Sequence, residues 1–185
     1  DLNKLWLEKG VKPESIFEVQ YKLPEKQHGW DSGLKPLALA NNNAGQLSPL
    51  QELVDAFPMK NGKGIHEPGS GYDENNPYAG RDDRFYAFIA YNGSTMKGTQ
   101  TGPPVKEIIL EIYKGGRDYD AVPTAKVYNT ITGYYTRKAT NPDNTIYNSG
   151  IGSDQPWIEL RYAELLLDYA EAQNEYLAVP DGSVY

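Results

Sequence analysis

The segment that most constrains how this chain can fold is Gln155 to Leu177, QPWIELRYAELLLDYAEAQNEYL. At the helical step of about 100° per residue, Ile158, Tyr162, Leu165, Tyr169, Ala172 and Tyr176 fall on one line. Leu160, Ala163, Leu167, Ala170 and Leu177 form a second line roughly 150° away, with Leu166 between them. Only the sector carrying Glu164, Asp168, Glu171 and Glu175 is strongly polar, which suits a water-facing side or a contact with a basic partner. The pattern predicts a helix from Pro156 to Leu177 that is covered on two sides. Asp154 is placed to accept the free N–H groups of the first turn, and Pro156 stands where a missing N–H does no harm. Pro180, Asp181 and Gly182 stop the helix.

A second helix signal lies in Gln46 to Gly62, QLSPLQELVDAFPMKNG. Ser48 suits the N-cap, Pro49 the first helical position, and Gln51 completes a capping box three residues on. Leu50, Leu53, Val54 and Phe57 make its apolar side, Pro58 ends it, and Asn61-Gly62 marks a turn. Elsewhere Leu2 to Lys9 reads as a short helix, and the alternation in Ser15 to Lys22 suits a strand. Leu23 to Asn43 and Gly62 to Gly80 read as loops, with further loops from Lys114 to Thr124 and ahead of the last helix. Arg84 to Tyr91 and Val105 to Tyr113 have the β-branched and aromatic content of strands, pairing as a hairpin across a long connection. With no internal repeat, the pattern describes an α+β piece with much irregular structure.

Four blocks carry a family likeness. They are Arg161 to Glu175 in the last helix, Gln51-Glu52-Leu53-Val54-Asp55-Ala56-Phe57-Pro58-Met59-Lys60, the Arg81-Asp82-Asp83-Arg84-Phe85-Tyr86 run, read as a strand, and Gly133-Tyr134-Tyr135-Thr136-Arg137-Lys138. In that order they resemble the signature segments of the SusD/RagB family of nutrient-binding outer-membrane lipoproteins, with Asp83 standing where the family usually has proline. The resemblance implies an α+β fragment of a mainly helical SusD-like fold, with a few helices, a short β-hairpin and long ordered loops. Residues 1–185 then form one SusD-like C-terminal region, the tetratricopeptide-like N-terminal helical half and the last helices being largely absent. The chain starts at Asp1 without a leader or a Cys, so it reads as the later half of a longer polypeptide. Any lipid anchor lies outside this sequence.

Composition narrows the functional classes. Lys and Arg number 18 against 25 Asp and Glu, and the resulting net charge of −7 argues against a nucleic-acid or anionic-membrane surface. No apolar run approaches the roughly 20 residues that cross a bilayer. The absence of Cys excludes disulfides and thiol catalysis.

His28 and His66 have no second ligand at a metal spacing, so the pattern offers no zinc site. Asp73-Glu74-Asn75-Asn76 clusters oxygen donors that suit calcium but lacks EF-hand spacing, and it reads as a solvated turn. No cofactor motif is present, since Gly115-Gly116-Arg117 lacks the Lys-Ser/Thr step of a phosphate loop. A glycoside hydrolase needs two carboxylates about 5 to 9 Å apart, for which Asp31, Asp82, Asp83, Glu107 and Glu111 are the pool. Arg81-Asp82-Asp83-Arg84 reads instead as local ion pairs at a strand-opening turn on the surface.

Aromatic loops give the better mechanism. A flat ring covers the C–H face of a sugar while Asn, Asp, Gln, Arg or His satisfies its hydroxyl edge. Gln27-His28-Gly29-Trp30-Asp31 has that mixture, and so does the run from Gly71 to Tyr78, so the candidate ligand residues are His28, Trp30, Asp31, Tyr72, Asn75 and Tyr78. Tyr134 and Tyr135 read as packing residues. The resemblance implies a non-catalytic, surface-exposed outer-membrane protein that captures oligosaccharides, or peptides, and delivers them to a SusC-like TonB-dependent transporter. A secreted carboxylate-pair hydrolase and a protein-interaction scaffold are the alternatives.

Overall fold

The computed structural model describes residues 2–39, 45–98, 106–119, 129–142, 152–177 and 182. Its elements run α1 (Lys4–Leu7), β1 (Ser15–Val19), α2 (Trp30–Leu34), a 3-10 turn (Leu37–Leu39), α3 (Gln51–Ala56), α4 (Asp83–Phe88), β2 (Ile89–Ala90), β3 (Thr95–Gly98), β4 (Lys106–Ile109), β5 (Tyr135–Thr136), β6 (Trp157–Arg161) and α5 (Tyr162–Tyr176). The described strands form three separate antiparallel pairs, β1 with β6, β2 with β5 and β3 with β4.

The β2–β5 pair organises the interior. Side chains of a strand alternate between faces, so Ile89 and Tyr134 feed one apolar cluster with Val54 and Phe85, while Ala90 and Tyr135 feed another with Leu39, Met96, Leu110 and Ile112. Tyr134 and Tyr135 are therefore packing residues, as their setting suggested. The Tyr135 hydroxyl donates to the Asp118 carbonyl at 2.7 Å and accepts from Thr130 N–H at 3.2 Å. Burial pushes that phenol well above its ordinary pKa.

Residues 83–88 form a helix where the sequence suggested a strand. Asp82 explains the change: its carboxylate accepts from Arg84 N–H at 2.8 Å, capping the free N-terminal donors, and Asp83 adds charge to the first turn. Arg84 folds back onto Asp82 at 2.8 Å, so the expected local ion pair forms, but at a helix cap. The hairpin likewise has another partner. The strand expected over 105–113 narrows to β4, and it pairs with β3, Thr95 opposite Ile109.

The last helix is shorter than its periodicity predicts. Ile158 is buried and Glu159 exposed in β6, which pairs with β1, Val19 opposite Trp157. Antiparallel pairing satisfies this backbone and postpones the helix to Tyr162. The capping role expected of Asp154 falls to Glu14, whose carbonyl accepts from Tyr162 N–H at 2.9 Å and whose carboxylate accepts from Ala163 N–H at 3.3 Å. Asp154 pairs with Lys9 at 2.5 Å. Pro180 and Asp181 lie outside the described residues. The expected cover on two sides is also missing: no α5 residue is buried, and Leu167 and Tyr176 are 70% and 83% exposed.

The capping box of α3 does not form. The helix starts at Gln51 with Leu50 as N-cap, the Ser48 hydroxyl donates to the Gly45 carbonyl, and the Gln51 amide reaches Asp55 and the Tyr134 hydroxyl. Of the expected apolar side, Val54 is buried while Leu50 and Leu53 are exposed. The run expected to be a loop from Leu23 contains α2 and the 3-10 turn, whereas Gly62 to Gly80 is a loop of successive turns.

Near the start, the buried Lys12 ammonium donates to the Leu5 and Glu8 carbonyls and pairs with Glu18 at 2.8 Å. Desolvation opposes ionisation of Glu18, but the hydrogen bonds from Lys12, Ser15 and Gln20 outweigh it and hold its pKa below the usual carboxylate value. A depressed folded pKa means that this stabilisation is complete above the unfolded value, about 4.3, and fades as pH falls through the folded one. Lys12→Ala is expected to lower stability by about 1.5–3 kcal/mol at pH 7, with a smaller deficit below pH 4, measured by urea unfolding across pH. An equal deficit at both pH values would refute the pairing as its source.

Candidate functional site

The backbone around His28 is fixed by reciprocal hydrogen bonds with Ser153: His28 N–H donates to the Ser153 carbonyl at 3.0 Å and Ser153 N–H to the His28 carbonyl at 2.6 Å. Gly152 permits this approach, because a Cβ there would stand 2.6 Å from the His28 carbonyl oxygen. His28 Nδ1 accepts from Trp30 N–H at 3.3 Å, leaving Nε2 as the donor to the Gln155 carbonyl at 3.0 Å. Both ring nitrogens have assigned roles, so the imidazole is held in one orientation.

Trp30 opens α2 and donates its indole N–H to the Lys138 carbonyl at 3.2 Å. Its ring meets Trp157 edge-on at 4.8 Å, Trp157 approaches His28 at 6.3 Å, and His28 meets Tyr21 at 4.6 Å. Lys26 lies over the Tyr21 ring at 4.9 Å. These four rings are only partly buried. They make a continuous aromatic array whose members hold one another in edge-to-face contact, the favoured geometry of ring pairs. Asp31 is not on its surface: it is buried, and its carboxylate accepts from Asn141 N–H at 2.6 Å.

The second candidate loop is built differently. Tyr78 meets Tyr91 at a tilt at 4.3 Å, stacks toward Phe85 at 6.2 Å and lies edge-on to Tyr134 at 6.4 Å, so its ring serves the interior, and burial raises its phenol pKa well above normal. Asn75 closes an Asx turn on Asp73, its N–H donating to that carboxylate at 2.9 Å. Tyr72 lies 5.8 Å from the Arg81 guanidinium and, like Tyr78, is partly exposed, its phenol pKa raised first by burial. Among the described residues no group of three His, Cys, Asp or Glu is placed to hold a metal ion.

Arg81, expected in surface ion pairs, is 1% exposed. Its guanidinium donates to the carbonyls of Val54, Phe57 and Pro77 at 2.6, 2.8 and 3.1 Å and covers the Phe85 ring at 4.7 Å. It therefore ties α3, the end of the long loop and α4 together.

Tyr21 and Trp157 are the array members that the sequence left out. The signal for Trp157 was present in the buried-exposed alternation of Ile158 and Glu159, which helical periodicity masked. Once β1 pairs with β6, Trp157 stands beside the strand that leads to Tyr21.

Residues 13–177 match the SusD family. The chain belongs to the SusD family. A SusD-like protein of Bacteroides fragilis shares 30% identity with it at a TM-score of 0.62, over 88% of this chain and 32% of that one. A SusD-like carbohydrate-binding protein of the same organism shares the fold at 22% identity and a TM-score of 0.66, over 92% of this chain and 31% of that one. The chain thus spans about a third of the length of these SusD-like structures. Its few helices and small sheets match theirs. No curated protein matches the chain. None of the described helices is long and apolar enough to cross a membrane.

Proposed function

We propose that this chain is the later part of a non-catalytic SusD-family protein that captures glycans at the bacterial outer-membrane surface and hands them to a SusC-like TonB-dependent transporter. The observation that carries the glycan reading is the array Tyr21, His28, Trp157 and Trp30, whose partly exposed rings offer flat apolar area to the C–H face of a sugar. The carbohydrate-binding relative from B. fragilis supports the same ligand class. Of the carboxylates that a hydrolase would recruit, Asp31 is buried and accepts a backbone N–H and Asp82 caps α4, while Glu107 and Glu111 lie 3.9 and 4.0 Å from Lys97 and Arg117 and Asp83 is exposed in the first turn of α4. The lipid anchor and the helical half that covers α5 belong, in this reading, to the rest of the polypeptide.

Calorimetry with a panel of neutral oligosaccharides tests the proposal. Trp30→Ala is expected to weaken the best ligand at least about tenfold, or 1.4 kcal/mol, while Trp30→Phe retains most of the affinity. Because the Trp30 side chain makes a single hydrogen bond, the fold should survive the change. Undiminished binding by Trp30→Ala would remove the array from the ligand site.

A further inference from the structure

A cleft of about 250 Å³ opens between the start of the chain, the β3–β4 hairpin and the segment after β5, with Asn3, Thr95, Lys97, Glu107, Arg137 and Thr140 in its lining. It is smaller than the roughly 300 Å³ at which sites for drug-sized ligands begin, so it admits one small group. On a chain of net charge −7 it gathers, among the described residues, two cations, Lys97 and Arg137, against one carboxylate, Glu107.

Among the described residues no carboxylate compensates the charge of Arg137. Its side chain makes two hydrogen bonds, both from Nη2, to the Thr95 carbonyl at 2.6 Å and the Ser94 hydroxyl at 3.2 Å, and its Nε is buried without a partner. Among the described residues no carboxylate lies within ion-pair distance of it. Burial lowers its pKa, yet a guanidinium stays protonated in proteins, so the partly buried cation persists. The N–H groups of Nη1 remain for a ligand. Among the described residues Lys97 pairs with Glu107 alone, at 3.9 Å, a loose and half-exposed pair that a stronger anion can displace.

We propose that the cleft beside Arg137 binds the carboxylate of an acidic sugar, a uronic acid residue, with the guanidinium as its principal donor and Lys97 as a second cation. Leu7 and Pro142, both partly exposed, supply the apolar wall that a pyranose ring requires. Trp30 and Trp157 do not line this cleft, so the assignment stands independently of the aromatic array.

Titration of the chain with methyl β-D-glucuronide and with methyl β-D-glucoside, which differ in the C6 carboxylate, provides the test. The glucuronide is expected to bind at least about tenfold more tightly, with an affinity that falls as salt rises. Arg137→Met should abolish this preference and Trp30→Ala should leave it intact. Should loss of the Thr95 contact prevent Arg137→Met from folding, Glu107→Gln serves instead, because removing this competing carboxylate should tighten glucuronide binding severalfold. Equal affinity for the two sugars, an unchanged preference in Arg137→Met, unchanged or weaker binding in Glu107→Gln, or loss of the preference in Trp30→Ala would each overturn the proposal. Inorganic sulfate competing as well as the glucuronide would overturn the sugar assignment.

Discussion

Replacing Arg81 by Met is expected to lower stability by about 3–5 kcal/mol, because three carbonyls each lose a hydrogen bond from a charged donor, worth about 1.5–3 kcal/mol apiece and less than additive. The side chain is 1% exposed, and three backbone carbonyls depend on it: Val54 within α3, Phe57 just beyond it, and Pro77 in the long loop. Methionine fills similar volume but donates nothing, so these carbonyls are left to find water in a packed interior. Arg81→Lys should recover only part of the loss, since one ammonium on a flexible stem cannot reproduce a planar fork aimed at three acceptors. Urea unfolding gives the comparison. A change below about 1 kcal/mol for Arg81→Met would show that the carbonyls are satisfied without it.

Phe85→Ala is expected to cost a similar amount, about 3–5 kcal/mol, because a fully buried aromatic ring leaves a cavity that its neighbours only partly fill. Phe85 has Tyr91 and Tyr86 at 5.3 Å, Phe57 at 6.0 Å, and the Arg81 guanidinium against its face at 4.7 Å. The two sites share this contact. Combining Arg81→Met with Phe85→Ala should therefore cost less than the sum of the single changes, and strict additivity would separate them.

Much of the framework was legible because it rests on local chemistry. The apolar spacing of the last helix, the turn signals of the long loop and the strand character of Ser15–Val19 and Lys106–Ile109 are expressed within each segment. The family likeness, carried by four such segments, was legible for the same reason. What the sequence concealed depended on partners distant along the chain. Trp157 to Arg161 has helical spacing but becomes a strand because β1 is there to pair with it, and Glu14 then provides the helix cap. Thr95–Gly98 carries too little apolar character to announce itself, yet it completes the hairpin. Residues 83–88 were a local miss: aromatic content suggested a strand, while Asp82-Asp83 is a helix-start signal.

The candidate site divides along the same line. His28 and Trp30 cluster in one loop of the sequence, whereas Tyr21 and Trp157 join them only through the β1–β6 pairing. Asp31, Tyr72, Asn75 and Tyr78 have the composition of a sugar-binding set, and the fold gives each a structural contact. Arg81 and Arg137 carry no sequence signal that separates a buried guanidinium from an exposed one. The apolar rows of α5 predicted a covered helix, and the described residues leave it bare.

The most direct measurement of the central claim is tryptophan fluorescence during titration with neutral oligosaccharides, coupled to analysis of the sugars afterwards. Glycan capture by the Trp30–Trp157 array predicts a saturable change in emission that is lost in Trp30→Ala, with every oligosaccharide recovered intact. Release of new reducing ends that persists in Trp30→Ala, or no response to any glycan beside a saturable response to peptides, would contradict it.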